Sequence, residues 1–297
     1  MSPRSWLFVP GDSDRKLARI AQCGADAVIL DLEDSVTPEQ KAAARTRVSE
    51  FLRASAAQAD SSPLQQLWVR INPLDSALAD DDLAAVAPAG PAGIVQPKTR
   101  APADAIALRH RLDELEHGHG LRPGSIRILP IATETPAALF AMGGFAQVGA
   151  RLAGLTWGAE DLSAAIGAIA TRETDGAWTS PFELVRSLCL FGAAAAGVAA
   201  IDTLHADFRD SAGLRASCAR ARRDGFTGKL AIHPDQVASI NEGFAPTAAE
   251  LAAARRVVEL FAAHPGAAAL SLDGRMVDIP HLRLAEKTLA RAAAPRS

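Results

Sequence analysis

The chain has 297 residues, of which 48% are hydrophobic and 22% charged. That composition excludes a disordered chain and supplies enough apolar mass for a large buried core. Lys and Arg number 31 against 34 Asp and Glu, a formal charge of −3, which offers no basic footprint for nucleic acid or an anionic membrane surface. In chain order, eight short apolar runs stand out, at 6–9, 27–30, 67–71, 93–95, 126–131, 153–157, 198–201 and 229–232. Their near-continuous apolar character suits parallel strands buried on both faces. The first run is shorter than the apolar core of a secretory signal, which needs about 7–15 residues. The longest apolar stretch, 188–201, is 14 residues, short of the roughly 18 that a membrane span requires. Cys23, Cys189 and Cys218 are odd in number and far apart, so they form neither a disulfide framework nor a zinc set. A reducing, cytoplasmic location is expected.

Ala-rich helical stretches alternate with the strand runs. Thr37-Pro38-Glu39-Gln40 reads as an N-cap, a proline at the first helical position and a capping-box Gln. Ser180-Pro181-Phe182-Glu183 repeats that chemistry, and Thr135-Pro136 opens another helix. Eight strand–helix units predict a (β/α)8 TIM barrel, a fold of about 250 residues. The rival is an open doubly wound sheet. It normally has fewer strands, and its nucleotide-binding form needs a Gly-rich first turn that is missing here. The barrel is expected over residues 1–241. Residues 242–297 are expected to form a C-terminal helical extension, with helices at 247–263 and 280–292, acting as a lid or as an arm to a neighbouring subunit.

In such a barrel, chemistry gathers where strands run into the following loops. Those positions hold Asp31, Glu33 and Asp34 after the second strand, Arg70 on the third, and Lys98 after the fourth. Glu134 follows the fifth, Glu160 and Asp161 the sixth, Asp202 the seventh, and His233-Pro234 the eighth. Acids converging with an arginine and a lysine suit a divalent cation and an anionic substrate. Each residue has a plainer reading. Asp161 would cap the next helix, Asp31 to Asp34 would be a solvated acidic turn, and Asp202 would partner a structural arginine. Lys98 fits an ion-paired structural lysine better than a Schiff base. His117 and His119 fit exposed loop residues. Glu134 resists such a reading, because a buried strand and a Thr-Pro helix start place it at the rim. With Asp161 on the adjacent strand it would offer two oxygens to Mg2+, which takes one or two protein carboxylates beside water and substrate.

At this point the chain resembles the citrate lyase β-subunit-like proteins of the HpcH/HpaI aldolase and malyl-CoA lyase group. The resemblance rests on Arg4-Ser5-Trp6-Leu7-Phe8-Val9-Pro10-Gly11, on Leu30-Asp31-Leu32-Glu33-Asp34-Ser35 and on Val69-Arg70-Ile71-Asn72. Gln96-Pro97-Lys98, Ala132-Thr133-Glu134-Thr135, Gly158-Ala159-Glu160-Asp161, Ile232-His233-Pro234 and Asp273-Gly274-Arg275-Met276-Val277-Asp278 extend it along the chain. Ser35 and Gln96 depart from the group's usual Ala and apolar residue. The resemblance implies a Mg2+-dependent carbon–carbon lyase that cleaves a 3-hydroxyacyl-CoA thioester, of citramalyl-, malyl- or citryl-CoA type, to acetyl-CoA and a 2-oxo acid. It implies Glu134 and Asp161 as metal ligands and Arg70 as the clamp on substrate oxygens. Backbone N–H groups after Ala159 would support the same carboxylate. Asp278, brought by a neighbouring subunit of a trimer or hexamer, would be the proton donor. Arg4, Ile232 and Pro234 would belong to the thioester-binding surface. The alternatives are a citrate lyase β subunit acting on an acyl-carrier-protein thioester and a class II aldolase acting on free 2-oxo acids.

Overall fold

The structure, a computed structural model, describes residues 2–57 and 65–293. Each of the eight apolar runs becomes a strand: β1 (Ser5–Pro10), β2 (Ala27–Asp31), β3 (Gln66–Arg70), β4 (Gly93–Gln96), β5 (Arg127–Pro130), β6 (Gly154–Thr156), β7 (Ala199–Asp202) and β8 (Gly228–Ala231). All pair in parallel, in the order β5-β4-β3-β2-β1-β8-β7-β6. The two outer strands then meet. Parallel bridges join Ile128 to Leu152 and Ile131 to Thr156. The Ala153 N–H donates to Ile128 O at 2.9 Å and the Ala132 N–H to Thr156 O at 2.8 Å. This closes the sheet into a (β/α)8 barrel. Among the described residues the eight-stranded sheet therefore has no open edge.

The helices are α1 (Asp14–Leu17), α2 (Lys41–Ala57), α3 (Ala79–Val86), α4 (Pro102–Gly118), α5 (Pro136–Leu139), α6 (Glu160–Ile166), α7 (Ser180–Ala195), α8 (Ser211–Asp224), α9 (Asp235–Phe244), α10 (Ala248–Ala263) and α11 (Ile279–Ala293). Among the described residues none is long and apolar enough to cross a membrane. Proline stands in the first turn at the three starts read from sequence, where its missing N–H costs nothing. The side-chain caps differ from expectation. Thr37 makes no cap hydrogen bond, and Pro38–Gln40 form a 3-10 turn ahead of α2. Thr179, not Ser180, precedes α7, and Glu183 is drawn to Arg220 at 2.7 Å instead of closing a capping box. The capping box that does form is at Thr247 and Glu250, ahead of α10.

Inward-facing side chains fill the barrel. Trp6 and Trp68 meet edge to face with centroids 5.0 Å apart, and Ile29, Val95, Leu129, Ile131, Ile201 and Leu230 complete the core. Gly93 is required by this packing, since a methyl there would stand 2.2 Å from the Trp68 ring. A polar network lies on the outer face of β7 and β8. The buried Lys229 Nζ is 2.7 Å from Asp202 Oδ2, and the Trp157 Nε1–H donates to Asp202 Oδ1 at 2.9 Å.

The chain divides into two compact units, Ser2–Gly243 and Phe244–Ser297. In the second, α10 and α11 pack together with a hairpin of β9 (Ala269–Leu272) and β10 (Arg275–Asp278). Its turn, Asp273-Gly274, takes φ of 51° and 76°, the twist that two-residue hairpins favour.

Candidate active site

The acidic turn after β2 is a built element. Its backbone is held by Lys41 Nζ, which donates to Leu32 O at 2.7 Å and Glu33 O at 2.8 Å, and by Asn72 Nδ2, which donates to Leu32 O at 3.0 Å. Asp31 and Glu33 are buried, and Asp34 alone faces solvent. Arg70, at the end of β3, reaches across to them. Its Nε and Nη2 donate to the two Asp31 carboxylate oxygens, each at 2.6 Å, and Nη1 stands 2.8 Å from Glu33 Oε2. The guanidinium lies over the Phe8 ring, 4.8 Å from its centroid. Burial opposes ionisation of Asp31, but the Arg70 bonds outweigh it and hold that carboxyl below its ordinary range. Burial raises Glu33.

Glu134 follows β5 and is 7% exposed. Its loop is tied to the one after β6: the Gly158 N–H donates to Thr133 Oγ1 at 3.1 Å, and the Thr133 hydroxyl to Gly158 O at 3.2 Å. Gly158 leaves room for the carboxylate, because a methyl there would sit 3.3 Å from Glu134 Oε1. Glu134 Oε2 accepts the Lys98 backbone N–H at 2.5 Å. Lys98 reaches that position with φ at 48°, in the left-handed region that side chains avoid. Its Nζ lies 2.6 Å from Glu33, 3.3 Å from Asp34 and 3.7 Å from Asp161. Burial, then the charges of Asp161 and Glu33, push Glu134 up to about 8 despite the Lys98 bond. Asp161, in the first turn of α6, remains partly exposed.

These groups border a cavity of about 470 Å3 that includes Arg70, Glu134, Asp161 and Ile232. A second cavity of about 340 Å3 adjoins Phe8, Pro10 and Ile232 and adds Arg15, Lys16, Arg19 and Pro234. The three basic side chains are exposed and make no ion pair among the described residues. They follow β1 closely, Arg15 and Lys16 in α1 and Arg19 just past it, a basic cluster after the first strand that is legible in the sequence.

Other expectations need correction. Arg4 precedes β1, so it lies at the amino end of the barrel, away from the mouth. Its Nε and Nη2 donate to Asp26 at 2.8 and 2.9 Å, and Nη1 donates to Asn241 O. It is a clamp on that end and lines neither cavity. The Ala159 N–H is taken by Glu160 Oε2 at 3.2 Å. Asp202 is the structural partner its plain reading described, bound to Lys229 and 3.5 Å from Arg186. Lys98 is the ion-paired lysine of its plain reading. Asp31 and Glu33 are not a solvated turn. Asp278 closes β10 in the second unit, its Oδ1 2.5 Å from His281 Nδ1. That bond holds the Asp278 carboxyl below its ordinary range.

Around the mouth, Asp31, Glu33, Asp34, Glu134 and Asp161 outnumber Arg70 and Lys98. The donors are all oxygen, and among the described residues the buried Glu134 makes no ion pair, feeling the Arg70 charge only at a distance. Among the described residues no three His, Cys, Asp or Glu form a complete metal cage. A two-carboxylate site nonetheless fits a hard ion that keeps water and substrate oxygens as its other ligands.

The parallel barrel with its acidic, arginine-clamped mouth frames such a site, and residues 189–294 match the C-C bond lyase class of the TIM-barrel fold. Residues 4–234 match the HpcH/HpaI aldolase/citrate lyase family. The chain belongs to that family. One relative, the mitochondrial citramalyl-CoA lyase of Homo sapiens, is 31% identical over 97% of this chain and 85% of that protein. The citrate lyase subunit beta of Haemophilus influenzae is 33% identical over 97% of this chain and 96% of its own. A CitE protein of Mycobacterium tuberculosis, solved with magnesium, acetoacetate and coenzyme A, superposes with a TM-score of 0.77 at 33% identity, covering 99% of this chain and 98% of that one.

Proposed function

We propose that this chain is a Mg2+-dependent lyase that cleaves a 3-hydroxyacyl-CoA thioester to acetyl-CoA and a 2-oxo acid. The supporting observation is the buried Glu134 carboxylate, raised to about 8 and set beside Asp161 in a mouth short of positive charge. Glu134 and Asp161 would hold the magnesium ion. When bound, it supplies a Lewis acid that polarises the substrate's hydroxyl and carboxylate oxygens. Arg70 has donors left over from Asp31 and Glu33, and these clamp the same oxygens. Asp31, Glu33 and the Phe8 face keep its fork fixed.

As the carbon–carbon bond breaks, the hydroxyl oxygen becomes the carbonyl of the oxo acid. The electron pair passes to the thioester α-carbon, which then takes a proton. Asp278, presented by a neighbouring copy in a trimer or hexamer, is assigned that proton transfer. Its low pKa favours the same group as base in the condensing direction. Ile232 and Pro234 border the thioester arm, and Arg15, Lys16 and Arg19 receive the CoA phosphates. A cytoplasmic location belongs to this reading, in keeping with three unpaired cysteines.

Calorimetric titration with Mg2+ tests the metal assignment, alongside assays of Glu134→Gln and Asp161→Asn. Loss of both binding and cleavage, with circular dichroism unchanged, is expected. Full activity in either variant contradicts it. The subunit named citrate lyase beta among the relatives favours one second reading, a carrier-protein thioester as substrate. Turnover of a CoA thioester by the isolated chain counts against that reading.

A further inference from the structure

The second unit brings two titratable side chains together where β10 runs into α11. Asp278 closes the strand, and His281 stands three residues on, in the first turn of the helix. His281 Nδ1 is 2.5 Å from Asp278 Oδ1. The backbone makes the pairing reciprocal: the His281 N–H donates to Asp278 Oδ1 at 3.4 Å, and the Asp278 N–H reaches His281 Nδ1 at 3.3 Å. That is the pattern of a capping box, whose third helical position usually holds Glu or Gln. A histidine there adds what neither of those residues offers near neutral pH, a ring nitrogen that takes up or gives a proton. The ring is half exposed, so water reaches it. Among the described residues Asp278 Oδ2 makes no hydrogen bond.

A carboxylate oxygen and a bare ring nitrogen repel each other at 2.5 Å, so one proton lies between them. It has two homes, Nδ1 and Oδ1. His281 holds the Asp278 carboxyl below its ordinary range, which puts the proton on the ring at rest. Across the hairpin Asp278 faces Ala269, which carries no charge. Both α10 and β10 pack against α11. Arg256 of α10 is 2.6 Å from Asp273, and the charge of Arg275 on β10 acts on the same carboxylate. Among the described residues Glu259 of α10 and Arg283 of α11 make no ion pair with Asp278 or His281.

The cleavage proposed above ends with a proton on the thioester α-carbon. An aspartate is ionised at neutral pH and has no proton of its own to give. Resting on that lyase reading, with Asp278 as its proton-transfer group, we infer that His281 is the positioning residue that keeps Asp278 supplied with a proton. In cleavage the proton moves from Nδ1 to Oδ1, the Asp278 carboxyl gives it to the α-carbon, and the ring regains one from water. The substrate hydroxyl releases one proton to water, so the count is unchanged. In condensation Asp278 takes the α-proton and passes it to the ring, and water removes it. Both residues lie at one strand–helix junction, so the pair stays together whichever barrel it serves.

His281→Gln separates this role from capping, because Gln keeps the capping box but holds no proton. With Mg2+ and citramalyl-CoA or malyl-CoA, its kcat is expected to fall about tenfold or more, with KM and thermal unfolding unchanged. The alkaline limb of its kcat profile is expected to move to lower pH, and added imidazole to restore part of the rate. In an Asp278→Asn background the same change is expected to cost nothing further. A kcat equal to that of the unmodified enzyme overturns the inference and leaves the lyase reading standing. A loss that imidazole does not restore and that leaves the pH profile unmoved marks a helix cap alone and overturns it too. An unmodified enzyme inert on citramalyl-, malyl- and citryl-CoA removes the lyase reading and this inference with it.

Discussion

Lys98 joins two functions in one residue: its backbone N–H fixes Glu134, and its ammonium ties together Glu33, Asp34 and Asp161. The cost is a left-handed backbone at a non-glycine position. Lys98→Gly and Lys98→Ala both lose the ammonium, but only glycine relieves the strain. Urea denaturation is expected to find the glycine variant more stable than the alanine one by about 1 kcal/mol. Glu134 gives a second expectation. Its folded pKa of about 8 lies above the ordinary 4.5, so the metal-free folded state holds more protons between those values. Stability of the metal-free chain therefore falls as pH rises through that window. Mg2+ displaces the proton, so its affinity is expected to rise with pH up to about 8. Calorimetry in buffers of different ionisation enthalpy would register proton release at pH 7; none at that pH would contradict the buried, protonated Glu134. The positions of Glu134 and Asp161 were legible because strand ends and Pro-marked helix starts fix them. The Lys98 backbone was not, since a positive φ at lysine is imposed by its partners and leaves no mark in the sequence. Arg4 was legible in principle: it precedes the first strand, and strand polarity alone sets it at the far end from the mouth.

At the scale of elements, the strand runs are legible in the sequence because burial on both faces removes polar residues from them. Helix starts were marked by proline, yet whether Thr37 or Ser180 caps its helix depends on rotamers and competing partners. Glu183 shows this, with Arg220 outbidding the local N–H. The β9–β10 hairpin is absent from the expected elements, although Asp273-Gly274 between short apolar segments is a strong turn signal. The two ends of β1 now carry separable expectations. Arg19→Glu, just past α1, is expected to raise KM for a CoA thioester about tenfold or more, with kcat little changed and the effect shrinking at high salt. Arg4→Ala, at the other end, is expected to lower stability by about 2 kcal/mol through loss of its charged bonds to Asp26, with kcat/KM unchanged. A rise in KM for the Arg4 variant would contradict the clamp role.

At the scale of the molecule, the first unit is a closed barrel whose core ends at the mouth cavity. Trp6 and Trp68 fill its interior, and Phe8, Ile131 and Leu230 form the cavity floor. Trp68→Ala is expected to lower stability by about 3–5 kcal/mol, measured by denaturant unfolding, because Gly93 and its neighbours cannot collapse onto the void. The central claim is that the mouth of this barrel holds magnesium to break a carbon–carbon bond in a CoA thioester. The most direct measurement is acetyl-CoA release from citramalyl-CoA and malyl-CoA by the purified chain, with Mg2+ and after its removal by chelation. Release that stops on chelation and returns with Mg2+ is the expected result. Undiminished release without metal, or no release from either thioester with Mg2+ bound, would contradict the account.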